Sequence, residues 1–105
     1  HFEFNKRLYQ IPYRDIVYME SRRRVIHLFG RNGEEYRFYK KMKDLLEEIS
    51  HTGNMFIRVH CSYVVNYYYI KSLSSTEAEL LTGEKLPVSG EYKNEALKKF
   101  MGMME

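Results

Sequence analysis

From Phe56 to His60 the chain alternates, with Phe56, Arg58 and His60 on one face of an extended segment and Ile57, Val59 and then Cys61 on the other. A period of two predicts a half-buried strand, and its polar exit, His60-Cys61-Ser62, is left to meet solvent or a ligand. The same patterning reads Phe2 to Gln10 as a first strand, then Ile16 to Glu20, Val25 to Phe29 and Glu34 to Tyr39, with Ser21 to Arg24 as a connection. Pro12-Tyr13-Arg14-Asp15 is a turn started by its proline. Gly30-Arg31-Asn32-Gly33 predicts a hairpin, because Asn and Gly both tolerate positive φ.

Met42, Leu45, Leu46 and Ile49 change the period: spaced i, i+3, i+4, i+7, they draw one apolar stripe on a helix that Gly53-Asn54 ends. Tyr63 to Ile70 is continuously apolar and aromatic, which reads as a short helical turn leading into Lys71-Ser72-Leu73. Thr76 to Leu81 and Lys85 to Val88 flank a second hairpin turn, Thr82-Gly83-Glu84. Leu97, Phe100, Met101 and Met104 mark a C-terminal helix. The expected fold is mainly β (α+β), with about seven strands and two short helices.

At 105 residues the chain suits one domain with a modest core, and its start at His1 reads as a domain excised from a longer protein. A single cysteine precludes an internal disulfide, and a reduced, cytoplasmic setting is the expectation. No apolar run approaches the roughly 20 residues that span a bilayer, and no signal-peptide pattern opens the chain. Lys and Arg number 17 against 14 Asp and Glu, a net charge of +3 that does not by itself announce a polyanionic partner. Placement says more: the basic residues cluster at Arg22-Arg23-Arg24, at Lys40, Lys41 and Lys43, and at Lys93, Lys98 and Lys99.

Catalysis and metal binding find little support. Neighbours on a strand face opposite ways, so His60 is poorly placed as a base for Cys61, and no third orienting group follows. The four histidines are scattered, and no ligand spacing recurs. The reading is of a non-enzyme without cofactor or metal. Tyr67-Tyr68-Tyr69 could stack on the bases of a single strand, but such rings more often fill a small core. Met101, Met103 and Met104 read first as helix packing.

Two segments carry a resemblance. Phe56, Arg58, His60, Ser62, Val65 and Asn66, then Ile70, then Leu86-Pro87-Val88-Ser89 and Tyr92 follow in order and spacing the signature of the LytTR family of bacterial DNA-binding domains, which the chain resembles from Ile11 to Phe100. The resemblance implies an elongated set of small antiparallel sheets with one short internal helix at Met42 to Ser50 and a C-terminal helix. It implies sequence-specific binding of double-stranded DNA through inter-strand loops, by a transcriptional regulator of a two-component system. Its members usually follow a receiver domain and act at paired direct repeats, side by side or as a homodimer on DNA.

The DNA-facing residues so implied are Arg22, Arg23 and Arg24, which can grip phosphates or read guanine; His60, Cys61 and Ser62; and Gly90, Glu91, Lys93 and Asn94. His60 reads equally well as a half-buried residue bonded at the strand end. Ser89 is expected to cap the C-terminal helix. Two positions depart from the family pattern. Cys61 stands where a basic or amide residue is usual, and Gly90-Glu91 where a basic residue follows the serine. These departures keep two rivals open: a protein-interaction domain of the same fold with weakened DNA binding, and a single-stranded nucleic-acid module.

Overall fold

The computed structural model describes residues 1–53 and 55–104. The expected helix stop at Asn54 therefore lies outside the described residues. The first strand divides in two, β1 (Phe2–Phe4) and β2 (Arg7–Tyr9), paired antiparallel across Asn5 and Lys6. Both turn residues have positive φ, 52° and 61°, the geometry of a two-residue hairpin turn that matches strand twist. No glycine marks this turn, and without one the pattern reads as a continuous strand. Phe2 stacks on Phe38 at 4.8 Å and Tyr9 meets Tyr36 at a tilt, 4.9 Å away, so the hairpin is held by aromatic contact.

After a 3-10 turn at Tyr13–Asp15 come β3 (Ile16–Arg22), β4 (Val25–Gly30) and β5 (Glu35–Tyr39). β3 runs further than Glu20, and only Arg23 and Arg24 connect it to β4. The β4–β5 loop closes through Gly33 N–H to the Gly30 carbonyl, with Gly33 alone at positive φ, so Asn32 does not share that role as expected. Helix α1 (Met42–Glu48) follows, then a 3-10 turn at Ser50–Thr52, β6 (Phe56–His60) and β7 (Tyr63–Asn66). The expected helical turn is confined to Tyr67–Tyr69 and leads into β8 (Ile70–Leu73). β9 (Glu77–Leu80), β10 (Lys85–Pro87) and α2 (Lys93–Met103) follow, so the described residues hold ten strands where about seven were expected, the excess being the division of the first strand into β1 and β2 and the two strands, β7 and β8, that flank the Tyr67–Tyr69 turn.

Five strands form one antiparallel sheet in the order β5-β4-β3-β7-β6, three form another in the order β10-β9-β8, and β1–β2 stands apart. Each face of the large sheet buries a core. Ile16, Met19, Ile26, Leu28, Phe56 and Val64 meet the Met42, Leu45 and Ile49 stripe of α1 on one side. On the other, Val17, Tyr18, Ile57, Val59 and Val65 meet the small sheet's Ala78, Leu80 and Leu86, and Ala96 of α2. Covering both faces explains why β6 and β7 are more continuously apolar than alternation alone requires. Asn66 is fully buried at the end of β7, where its Nδ2 donates to the Ile16 carbonyl at 2.9 Å and its Oδ1 accepts from Tyr68 N–H at 3.0 Å.

Candidate nucleic-acid interface

β3 lies between β4 and β7, so its exit into Arg23-Arg24 falls beside the Cys61-Ser62 turn that joins β6 to β7. Glu20 is opposite Tyr63, and Ser21 N–H donates to the Ser62 carbonyl at 2.9 Å. Arg22, Arg23 and Arg24 are all exposed. Arg22 is engaged locally, its Nη2 donating to Glu20 Oε1 at 2.7 Å, while Tyr63 Oη donates to the other carboxylate oxygen at 3.3 Å. The hydrogen bond from Arg22 holds the Glu20 carboxyl below its usual range, overcoming the opposing effect of partial burial. Arg23 and Arg24 form no ion pair among the described residues, and both adopt positive φ, 50° and 68°.

The register of β6 against β7 shifts between Arg58 and His60. A bulge of this kind breaks the alternation. Cys61 therefore leaves the face of Ile57 and Val59 and lies exposed in the turn, with Sγ 3.5 Å from His60 Nδ1 and 3.8 Å from Ser62 Oγ. The expectation that adjacent residues point apart fails here because Cys61 is no longer in the strand. His60 Nδ1 also accepts Ser62 N–H at 3.0 Å, which places the proton of the neutral ring on Nε2, and the ring meets Tyr63 edge-on at 5.4 Å. His60 is half-buried at the end of β6.

The third segment docks on the free edge of β6. Ser89 N–H donates to the Val59 carbonyl at 2.9 Å, and the Ser89 carbonyl accepts from Tyr92 N–H and Lys93 N–H at 3.1 and 3.0 Å. The Ser89 carbonyl thus supports the turn that leads into α2; its hydroxyl is buried with no hydrogen-bond partner among the described residues and makes no cap, contrary to expectation. Gly90, Glu91 and Asn94 are exposed and Lys93 half-buried.

Arg58 and Tyr92 join the site although sequence patterning does not mark them as part of it. The Arg58 guanidinium donates from Nη2 to the Cys61 carbonyl at 2.9 Å and from Nε to the His60 carbonyl at 3.4 Å, and it lies over the Tyr92 ring, 4.5 Å from its centroid. Both belong to the signature positions, but strand alternation alone says nothing of their meeting. The tyrosine run takes no part, since Tyr67–Tyr69 lies at the opposite end of β7 from the Cys61-Ser62 turn. Tyr67 packs on Phe100, Tyr69 Oη donates to the Arg14 carbonyl, and Tyr68 is 60% exposed, so the three rings do not form one platform.

The profile of a family described as LytTr DNA-binding domain matches residues 6–101. No curated protein matches the chain. Among solved structures, a Bacillus cereus domain described as the LytTr DNA-binding domain of a putative methyl-accepting/DNA response regulator superposes with a TM-score of 0.71 at 23% identity, over 88% of this chain and 85% of that one. At that identity the likeness speaks for the fold: small antiparallel sheets and two helices in the same arrangement.

Proposed function

The chain belongs to the LytTr DNA-binding domain family, and from that premise we propose that it binds double-stranded DNA sequence-specifically through three loops at one end of the large sheet. The observation that carries this is the convergence of the Arg22–Arg24, His60–Ser62 and Gly90–Asn94 segments, linked by the Ser21–Ser62 and Val59–Ser89 backbone bonds and by Arg58 over Tyr92. Arg23 and Arg24 supply charge for phosphates, Ser62 and Asn94 supply polar groups, and Cys61 and Glu91 stand where bases are read. Neither helix offers a basic recognition face, so loops are the readers: α2 exposes Glu95 beside Lys98, and α1 is only seven residues long. The domain serves as the output module of a response regulator in the cytoplasm, behind a receiver domain and at paired sites, as the family implies.

Selection of bound duplexes from a random-sequence DNA pool tests this. A shared motif among the retained duplexes supports it, and retention without any motif removes the sequence-specific reading. The exposed carboxylate of Glu91 favours a second reading, a protein-interaction domain of this fold, to which a pool yielding no bound duplex would point.

A further inference from the structure

Arg58 is the place where two of the proposed DNA-reading segments meet. Its guanidinium reaches the carbonyls of His60 and Cys61 on one side and the ring of Tyr92 on the other. A planar fork suits this geometry, because it donates in its plane to both carbonyls while presenting its face to an aromatic ring, which a lysine cannot do. A backbone bond, Ser89 N–H to Val59 O, runs alongside, and Tyr92 is the residue from which α2 starts. Arg58 forms no ion pair among the described residues, so its charge is spent on carbonyl dipoles and a π face.

We infer that Arg58 and Tyr92 form a clamp that locks the Cys61-Ser62 turn to the Gly90-Glu91 segment, making Arg58 a positioning residue that acts through the turn rather than by touching DNA. The consequence for DNA rests on the proposed function. Two loops locked together present one fixed spacing to the duplex and discriminate by geometry; unlocked, each contacts DNA alone. The clamp itself exists in the free protein.

The exposed thiol of Cys61 is a built-in reporter, being the chain's one cysteine. Its rate of reaction with a soluble thiol reagent should rise several-fold in Tyr92→Ala and stay near the parent rate in Tyr92→Phe, which keeps the ring. Tyr92→Leu replaces the alanine variant if that unfolds. An unchanged rate in a folded variant lacking the ring overturns the clamp. With the selected duplex, Arg58→Gln and Tyr92→Ala should each weaken binding about tenfold, equivalent to about 1.4 kcal/mol, and the double variant should weaken it little further. The slope of log K against log salt should not change in Arg58→Gln, whereas one phosphate fewer neutralised would lower it by about 0.9. That lowered slope would make Arg58 a DNA contact and overturn the positioning role. Labelling needs no DNA, so a parent protein that binds no duplex refutes the functional reading while the thiol rates still decide the clamp.

Discussion

Arg23 and Arg24 hold φ of 50° and 68°, where an L side chain crowds its own carbonyl at a cost of about 1–2 kcal/mol per residue. Asparagine and glycine fit that turn better. Replacing the pair by Arg23→Asn with Arg24→Gly is therefore expected to stabilise the fold by about 1 kcal/mol or more. It should also weaken binding to every duplex and flatten the salt dependence by about 0.9 for each phosphate no longer neutralised. Urea midpoints at constant slope and a salt titration check the two halves, and unchanged salt dependence would remove these arginines from the interface. A second residue carries a pH signature. Tyr18 is 7% exposed and stacks on Phe29 at 4.4 Å, and burial, helped by Glu84 and Glu20, pushes its hydroxyl from 10.0 up to about 12. Because the folded value is the higher one, the stability it contributes is complete below pH 10 and is lost as pH rises through about 12. Melting temperatures across that range should fall less steeply in Tyr18→Phe than in the parent.

At the scale of elements, Asn66 joins three: it ends β7, its side chain accepts from the first turn of the 3-10 segment, and it donates to the backbone entering β3. Asn66→Ala leaves Tyr68 N–H and the Ile16 carbonyl without these partners and should cost about 2–4 kcal/mol in unfolding free energy, read from denaturant titration. Leucine, of similar size, would not rescue it. The Val-Val-Asn run is visible in the chain as a motif, but its purpose depends on residues some fifty positions earlier, and no local pattern carries that. Where one period governs, the sequence is readable: the α1 stripe, the β6 alternation as far as Arg58, and the hairpins closed by Gly33 and Gly83. It is unreadable where an irregularity lacks its usual residue. Asn5-Lys6 and Arg23-Arg24 turn without glycine, and the bulge before His60 carries no sign that Cys61 will leave its face. The three segments proposed to face DNA are named by resemblance, and their convergence is a property of topology: β3 lies between β4 and β7, and Ser89 docks on β6.

The molecule measures 39 × 25 × 25 Å, so with its 25 Å width along the duplex one copy would fit within a single turn, about 34 Å. Two copies on one face should then bind best when their sites are about 10.5 base pairs, or a multiple, apart; equal affinity at every spacing, titrated at fixed salt, would rule out such coupling. Charge at the end proposed to meet DNA would set the strength of each contact. A net charge of +3 is small, and local pairing reduces what reaches DNA: Arg22 is bound to Glu20, Arg31 to Asp15, Lys40 to Glu48 and Lys71 to Glu79. At that end Arg23, Arg24, Arg58 and Lys93 stand against the exposed Glu91, so this carboxylate would offset part of any attraction to DNA there. Glu91→Arg replaces repulsion with attraction and should tighten nonspecific duplex binding by about 1–2 kcal/mol at low salt, and by less at physiological salt, where the Debye length is about 8 Å. The fold should lose only a few tenths of a kcal/mol, from a cation placed near the start of α2. If Glu91 instead accepts from a cytosine amino group, the same variant should lose affinity for the selected duplex while gaining background, with the lost discrimination of about 1–3 kcal/mol mapping to one base pair. Binding unchanged on both selected and random duplexes would show that the segment before α2 does not meet DNA, and would leave the surface around Glu91 to a protein partner.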